Sequence, residues 1–364
     1  MRAGWDVAAG QRRRVSLGGI STRNKGVFAL GPHHAVTRWI EALLVCPACH
    51  GDVARSADFY RCASCAAAYP IRHGVPDFRL WPDEYVSVAD ELAKIDRLFA
   101  PPAPTFRQLL TRYYDLSPES PRKLNVRYVA AIENSATRDE ALLRKLRNAF
   151  PDVGRTRFLD LGCGTAALAL AASKEFAEVV AVDAALRWLL VARQRLNEAG
   201  APAVGVALIC ANAEALPFRL ATFDAVMADS VLEHVRDSTR MQSETMRVLR
   251  GGGAFLFTTN NRFSILPEPH VRILGFGLIP RRWMERMALA LRKTPYKARL
   301  HSRRELRRLF RDTGRVELPV YEPGELGERN ERARRIWEMM RHIPLLRWMM
   351  GPIVPQYFIS GRKS

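Results

Sequence analysis

The sequence predicts an α/β protein, a doubly wound, mostly parallel sheet of seven strands preceded by a small metal-stapled unit. Three observations carry this. From Thr156 onward, short apolar runs alternate with helical segments of about 10–15 residues, the pattern of βαβ units. The 364 residues are 48% hydrophobic and 26% charged, enough apolar material for a sizeable core. Four of the six cysteines form two CxxC pairs, which reads as metal binding in a reducing compartment rather than as a disulfide scaffold.

In chain order, residues 1–43 are basic and rich in Gly and Arg, and are expected to be a disordered tail. Residues 44–78 hold Cys46-Pro47-Ala48-Cys49 and Cys62-Ala63-Ser64-Cys65, whose inner cysteines are separated by twelve residues, room for a returning hairpin. Four thiolates can surround Zn²⁺ at about 2.3 Å in a closed tetrahedron. With no open position the zinc is structural, and Cys46, Cys49, Cys62 and Cys65 are its ligands; His50 and His73 are bystanders. Residues 79–155 are expected to be a helical linker and cap, with Pro101, Pro102 and Pro104 marking the linker. The main domain, 156–364, opens with strand Arg157–Leu161 and helix Ala166–Phe176, then strand Glu178–Val182 and helix Ala184–Ala199. Strands follow at Val204–Ile209, Phe223–Met227 and Ala254–Thr259. A basic insertion over 260–300, a helix Ser302–Asp312 and strands Arg315–Tyr321 and Gln356–Gly361 complete it.

No uninterrupted run of about 18 apolar residues exists, and the best candidate, Ile343–Ile359, is broken by Arg347 and three prolines. No apolar stretch follows Arg12-Arg13-Arg14, so a secretory signal is not supported and the chain is expected to be cytoplasmic. The net charge of +19 is uneven: residues 156–269 carry 11 basic and 12 acidic side chains, residues 270–364 carry 22 and 9. A neutral core with a basic end suits an anionic partner: nucleic acid, an anionic membrane face or a phosphorylated substrate. Charge alone does not choose among them.

Asp160-Leu161-Gly162-Cys163-Gly164-Thr165-Ala166 follows a strand and opens a helix, so its backbone can approach a ligand closely at a helix start. Nineteen residues beyond Gly164, Asp183 ends the next strand, where a carboxylate can accept both ribose hydroxyls of a nucleoside. Gly162-x-Gly164-x-x-Ala167 also satisfies a relaxed dinucleotide fingerprint, so the loop by itself leaves an NAD enzyme open. The ordered set of this loop, Val182-Asp183, Asn212-Ala213-Glu214-Ala215-Leu216-Pro217-Phe218, Phe223-Asp224-Ala225-Val226, Val231-Leu232-Glu233-His234-Val235 and Leu249-Arg250-Gly251-Gly252-Gly253 is more specific. It resembles the class I S-adenosylmethionine-dependent methyltransferases, Rossmann-like enzymes. The cysteine unit with its trailing Tyr69-Pro70-Ile71-Arg72-His73-Gly74-Val75-Pro76-Asp77-Phe78 resembles the small zinc-ribbon proteins that activate tRNA and translation-factor methyltransferases.

The resemblance implies that Asp160, Gly162, Cys163 and Gly164 face the methionine end of S-adenosylmethionine and that Asp183 holds its ribose. Asn212 and Ala213 would lie beside the adenine, with Leu216 and Phe218 as apolar wall. Ala166 stands where the family often has a third glycine and Asn212 where it often has Asp; Asn can still accept a bond from the adenine amine. His234 is the first candidate for general base and His270, in the insertion, the second. A similar Glu-His pair occurs in ubiquinone-pathway O-methyltransferases. Asp229-Ser230-Val231-Leu232 replaces the signature used for planar amides and exocyclic amines, which argues against such nitrogen targets. The 260–300 insertion is expected to be a lid, with apolar residues beside Arg281, Arg282, Arg292 and Lys293 suited to an anionic membrane. The reading is O-methylation of a small or lipid-linked metabolite. Methylation of a tRNA or rRNA base is the alternative, and a non-catalytic cofactor-binding subunit the third.

Overall fold

A computed structural model of the chain describes residues 38–117, 122–200, 205–318 and 354–364, with positions 335, 338, 339, 342 and 343. All fall within one compact unit. Residues 1–37 of the expected tail lie outside the described residues. Residues 38–43, assigned to that tail by composition, instead belong to the fold: α1 (Arg38–Glu41) and the residues after it bury Ile40 and Leu43.

The cysteine unit is an antiparallel meander of β1 (Val53–Arg55), β2 (Phe59–Cys62), β3 (Ala68–Arg72) and β4 (Val75–Pro76). So small a unit has little core of its own. Tyr60 and Tyr69 pack on Phe78, with ring centroids 5.2 and 4.9 Å apart, and all three join the apolar cluster beneath the large sheet. The cap follows as α2 (Val88–Leu98), α3 (Phe106–Asp115), α4 (Arg122–Glu133) and α5 (Ala136–Ala149). Ser87 caps α2, and a reciprocal Thr105–Gln108 capping box starts α3. Leu109, Leu110, Leu142 and Leu146 pack with Phe158 and Leu189 of the main domain, so this region is built into the core rather than linking two bodies.

The main domain runs β5 (Arg157–Leu161), α6 (Ala167–Ala172), β6 (Glu178–Asp183), α7 (Leu186–Glu198), β7 (Val206–Cys210), β8 (Phe223–Asp229), α8 (Ser238–Val248) and β9 (Leu249–Asn260). The insertion contributes α9 (Arg281–Arg292), and α10 (Arg303–Leu309), β10 (Gly314–Glu317) and β11 (Gln356–Arg362) close the chain. The seven strands lie in the order β10-β11-β9-β8-β5-β6-β7; β5 to β9 pair in parallel and β11 is antiparallel to both its neighbours. This is the Rossmann-like α/β arrangement expected. Positions 319–321 of the expected strand after Arg315 lie outside the described residues. α8 was not anticipated; Asp237 starts it by accepting from the backbone N–H groups of Thr239 and Arg240.

Strand order reverses at β5, which lies between β6 and β8, and the C-terminal ends of these strands open the crevice where such sheets bind ligands. Buried Asp224 fixes the start of β5 by accepting from Thr156 N and Arg157 N at 2.9 and 2.7 Å. The cysteine unit docks on the far edge. Its trailing residue Asp77 bridges to Cys210, with Phe78 N donating to Cys210 O at 2.7 Å. Its leading residues take the other side: Val45 N donates to Pro217 O and Arg219 N to Leu43 O, both at 2.9 Å. The loop from 211 to 218 is therefore gripped at both ends by the unit.

Candidate active site

Gly162 turns the chain out of β5 with φ +74°, and a Cβ there would come within 2.3 Å of Val231 Cγ2, so only glycine fits. Ala166, where a glycine was noted as missing, adopts φ +55°, a left-handed conformation that glycine favours. Its methyl group is fully buried, which offsets part of that strain. Asp160 lies under the loop, 3% exposed, and accepts from Ala169 N at 2.9 Å, tying strand to helix. Burial, and then the neighbouring Asp139, hold its pKa well above the usual carboxylate range. Asp183 accepts from Gly164 N at 2.9 Å and Ala185 N at 2.8 Å. Burial raises its pKa, and these N–H groups pull it back.

A cavity of about 300 Å³ opens here. Of the expected residues, Gly162, Asp183, Asn212 and Ala213 line it, whereas Asp160, Cys163 and Gly164 do not. Leu216 and Phe218 are not its wall. Both are fully buried, and Phe218 packs on Phe223 and bridges to Leu44, so they anchor the cysteine unit instead. The wall comes from a segment that sequence reasoning passed over, Trp81 to Tyr85. Asn212 is accordingly committed elsewhere. Its Oδ1 accepts from Leu80 N at 2.8 Å and Trp81 N at 3.3 Å, while its Nδ2 donates to Trp81 O at 3.2 Å. Both acceptor positions of the amide oxygen are filled by the Leu80 and Trp81 N–H groups, so the side chain ties down the roof. Arg79 and Arg187 complete the tether: Arg79 pairs with Asp77 and Glu91 at 2.7 Å, and Arg187 with Glu91 at 2.9 Å and Asp83 at 3.0 Å.

A second cavity, of about 1230 Å³, adjoins the first and shares Tyr85, Trp188 and His234 with it. The two candidate bases meet at this junction. His234 Nε2 and His270 Nε2 are 3.0 Å apart, although 36 residues separate them. His270 Nδ1 lies 2.5 Å from Glu268 Oε1, and Glu268 Oε2 accepts from His270 N and Val271 N. Glu268, in the sequence Pro267-Glu268-Pro269-His270, was missed; the carboxylate two residues before a histidine was its only signal. His234 is exposed at the cavity mouth; the loss of water among the surrounding walls, and then His270, push its pKa down to about 4. Burial works against a charged His270, but the hydrogen bond and charge of Glu268 outweigh it and raise its pKa. The pair therefore divides into a neutral ring and a readily protonated one, with a single proton between them. Glu233 serves structure: fully buried, it accepts from Thr259 Oγ1 and Asn260 Nδ2.

The sulfurs of Cys46, Cys49, Cys62 and Cys65 all lie within 4.8 Å of one another, with Cys46–Cys65 at 3.7 Å and Cys49–Cys62 at 3.5 Å. Metal–sulfur bonds of about 2.3 Å in a tetrahedron put the sulfurs about 3.8 Å apart. Ser64 N and Cys65 N both point at Cys62 Sγ at 3.4 Å, which suits a thiolate. The donor set and spacing fit zinc.

Residues 159–257 match the family described as methyltransferase domain. The chain is 36% identical over 121 residues to a demethylmenaquinone methyltransferase of Thermobifida fusca, spanning 33% of this chain and 49% of that protein. It is 34% identical over 131 residues to a ubiquinone biosynthesis O-methyltransferase of Parvibaculum lavamentivorans, spanning 34% and 49%. A solved S-adenosylmethionine-dependent methyltransferase from Mesorhizobium loti is 21% identical, with 60% of this chain and 96% of that one covered and a TM-score of 0.42. The chain spans about half the length of the curated relatives it matches.

Proposed function

We propose that this protein transfers a methyl group from S-adenosylmethionine to an oxygen of a small or lipid-linked acceptor, and that a structural zinc holds its cysteine unit. The observation that carries the reading is the His234–His270 pair at the mouth between a nucleoside-sized cavity and a larger one. The stretch that matches the methyltransferase domain supplies the lining of the smaller cavity apart from Trp81 to Tyr85, and two of the similar proteins are named for demethylmenaquinone methylation and for O-methylation in ubiquinone biosynthesis.

The cofactor supplies an electrophilic methyl on a sulfonium, so the protein has to align the acceptor and take its proton. Asp183 offers its remaining lone pairs to a ribose diol. Trp81 supplies the apolar wall. An acceptor hydroxyl entering from the larger cavity has to displace the direct 3.0 Å contact between the two Nε2 atoms; it then loses its proton to the pair, and Glu268 holds His270 in the orientation that receives it. The lid exposes Leu274, Leu278, Trp283 and Leu291 beside Arg282, Arg286 and Lys293, which supports a peripheral approach to an anionic membrane. No helix among the described residues is long and apolar enough to cross one. Reduced cysteines in the metal cluster fit a cytoplasmic setting.

The test is transfer of radiolabelled methyl from the cofactor into a fractionated lysate by the wild type and by His234→Asn with His270→Asn. Label in small-molecule or lipid fractions, lost in the double variant, supports the reading. Label in RNA, or equal transfer by the variant, refutes it.

A further inference from the structure

The two adjoining cavities carry opposite charge. The smaller is lined by Asp83, Glu84, Asp183 and Glu214 against Arg187 and Arg236, a balance of two negative charges. The larger is lined by Lys94, Arg97, Arg127, Arg272 and Arg292 against Asp90 alone, a balance of four positive charges before any histidine is counted. Asp90 is engaged at the start of α2, where it accepts from Ser87 Oγ at 2.6 Å. Among the described residues no carboxylate pairs with Arg97, Arg127 or Arg272, on a protein surface where most other cavity arginines have one. Arg292 is held without a carboxylate: its Nε donates to Val271 O at 2.8 Å and its Nη2 to Arg272 O at 3.0 Å, next to His270.

Charges of one sign converge on this cavity from α2, α4 and the lid, so neither one helix face nor one lid segment explains them. The walls between them are flat and aromatic. Tyr113 packs on Trp188 with centroids 4.1 Å apart, and Tyr114 stacks on Tyr128 at 5.4 Å. Tyr85 and Tyr296 stand nearer the histidines. A cleft lined by one sign of charge concentrates counter-ions and repels cations.

We propose that the methyl acceptor is an anion: a hydroxyl-bearing molecule with an aryl or other apolar body and an oxyanion, carboxylate or phosphate, held by Arg97, Arg127, Arg272 and Arg292. This rests on reading the site as a methyltransferase. The division of charge then sorts the two ligands, sending the sulfonium cofactor to the acidic cavity and the anionic acceptor to the basic one. Arginine forks suit either oxyanion, and the aromatic walls take the body between the anchor and the His234–His270 pair. Amine acceptors carrying positive charge are excluded by the same field.

The experiment uses the full chain saturated with S-adenosylhomocysteine and titrates 1-naphthoate, 1-naphthyl phosphate and uncharged 1-naphthol by calorimetry. At least one anion is expected to bind about tenfold or more tightly than 1-naphthol, the better anion identifying the oxyanion class. Replacing Arg97→Ala and Arg127→Ala should weaken that anion by about fivefold each, the scale of exposed ion pairs, and leave 1-naphthol binding unchanged. Thermal melting and S-adenosylhomocysteine affinity of the variants report that the fold is intact. Equal binding of 1-naphthol, absence of binding by either anion, or a preference that survives both substitutions overturns the proposal. A protein that fails to bind S-adenosylhomocysteine in the first step sinks the cofactor assignment instead.

Discussion

Asn212→Ala separates two roles for one side chain. If Asn212 recognises adenine, its loss removes a contact to the ligand; if it ties down the roof, its loss frees the Leu80–Trp81 backbone. The structure gives three hydrogen bonds to that backbone, at 2.8, 3.3 and 3.2 Å. Each contributes about 0.5–1.5 kcal/mol net, and the two longer ones belong at the lower end, so about 2 kcal/mol is lost in total. Binding a nucleoside against Trp81 must then restore that order, which weakens affinity by about 30-fold. Melting should fall by about 3 °C if the segment is released globally. Calorimetry with S-adenosylhomocysteine reads the affinity, and fluorescence of Trp81 against a Trp81→Phe control reads the roof. Asn212→Asp decides between the roles. It sets a carboxylate oxygen against Trp81 O and should bind more weakly than wild type, whereas an adenine contact would be kept or strengthened. Wild-type or tighter affinity in Asn212→Asp, with wild-type melting in Asn212→Ala, refutes the tether.

Three further outcomes are expected. Asp183→Ala should weaken S-adenosylhomocysteine binding by about 1–3 kcal/mol, since it removes the proposed ribose acceptor and the partner of Gly164 N; unchanged calorimetric affinity removes that role. The folded pKa of His270 is raised, so its stabilising contribution is present below about pH 6.5 and is lost as pH rises through its folded value. Transfer should show the opposite trend, rising with pH as the pair becomes able to accept a proton, and Glu268→Gln should move that limb to lower pH because the group that raises His270 is gone; a limb that stays in place contradicts the relay. Cys62→Ser should release zinc, read by metal analysis, and also weaken S-adenosylhomocysteine binding through the 211–218 loop; a metal-free variant with wild-type affinity contradicts that coupling.

Local signals made much of this fold legible. The apolar runs placed β5 and β6 within a residue or so, because buried parallel strands are written as continuous hydrophobic stretches, and Tyr357-Phe358-Ile359 marked the antiparallel β11. The glycine turn and Asp183 were readable because their spacing reflects one βαβ unit. What escaped is what depends on distant partners. Nothing near Asn212 announces that its amide faces a backbone 131 residues away, and Leu216 and Phe218 look like pocket wall until Leu44 is seen beside them. Likewise Glu268 gains its meaning only when the lid brings His270 to His234. The opposed charges of the two cavities come from helices and a lid scattered over some two hundred residues, so no window of sequence shows them.

The double grip of the cysteine unit on the loop after β7 has a consequence for how this chain can be cut and recombined. A fragment beginning at Thr156 would keep every strand of the large sheet, yet it would expose Phe218, leave Cys210 O without its bridge and strip the Trp81–Tyr85 wall from the smaller cavity. Such a truncation should be insoluble, and moving the large sheet into another chain would need its own four-cysteine unit to come with it.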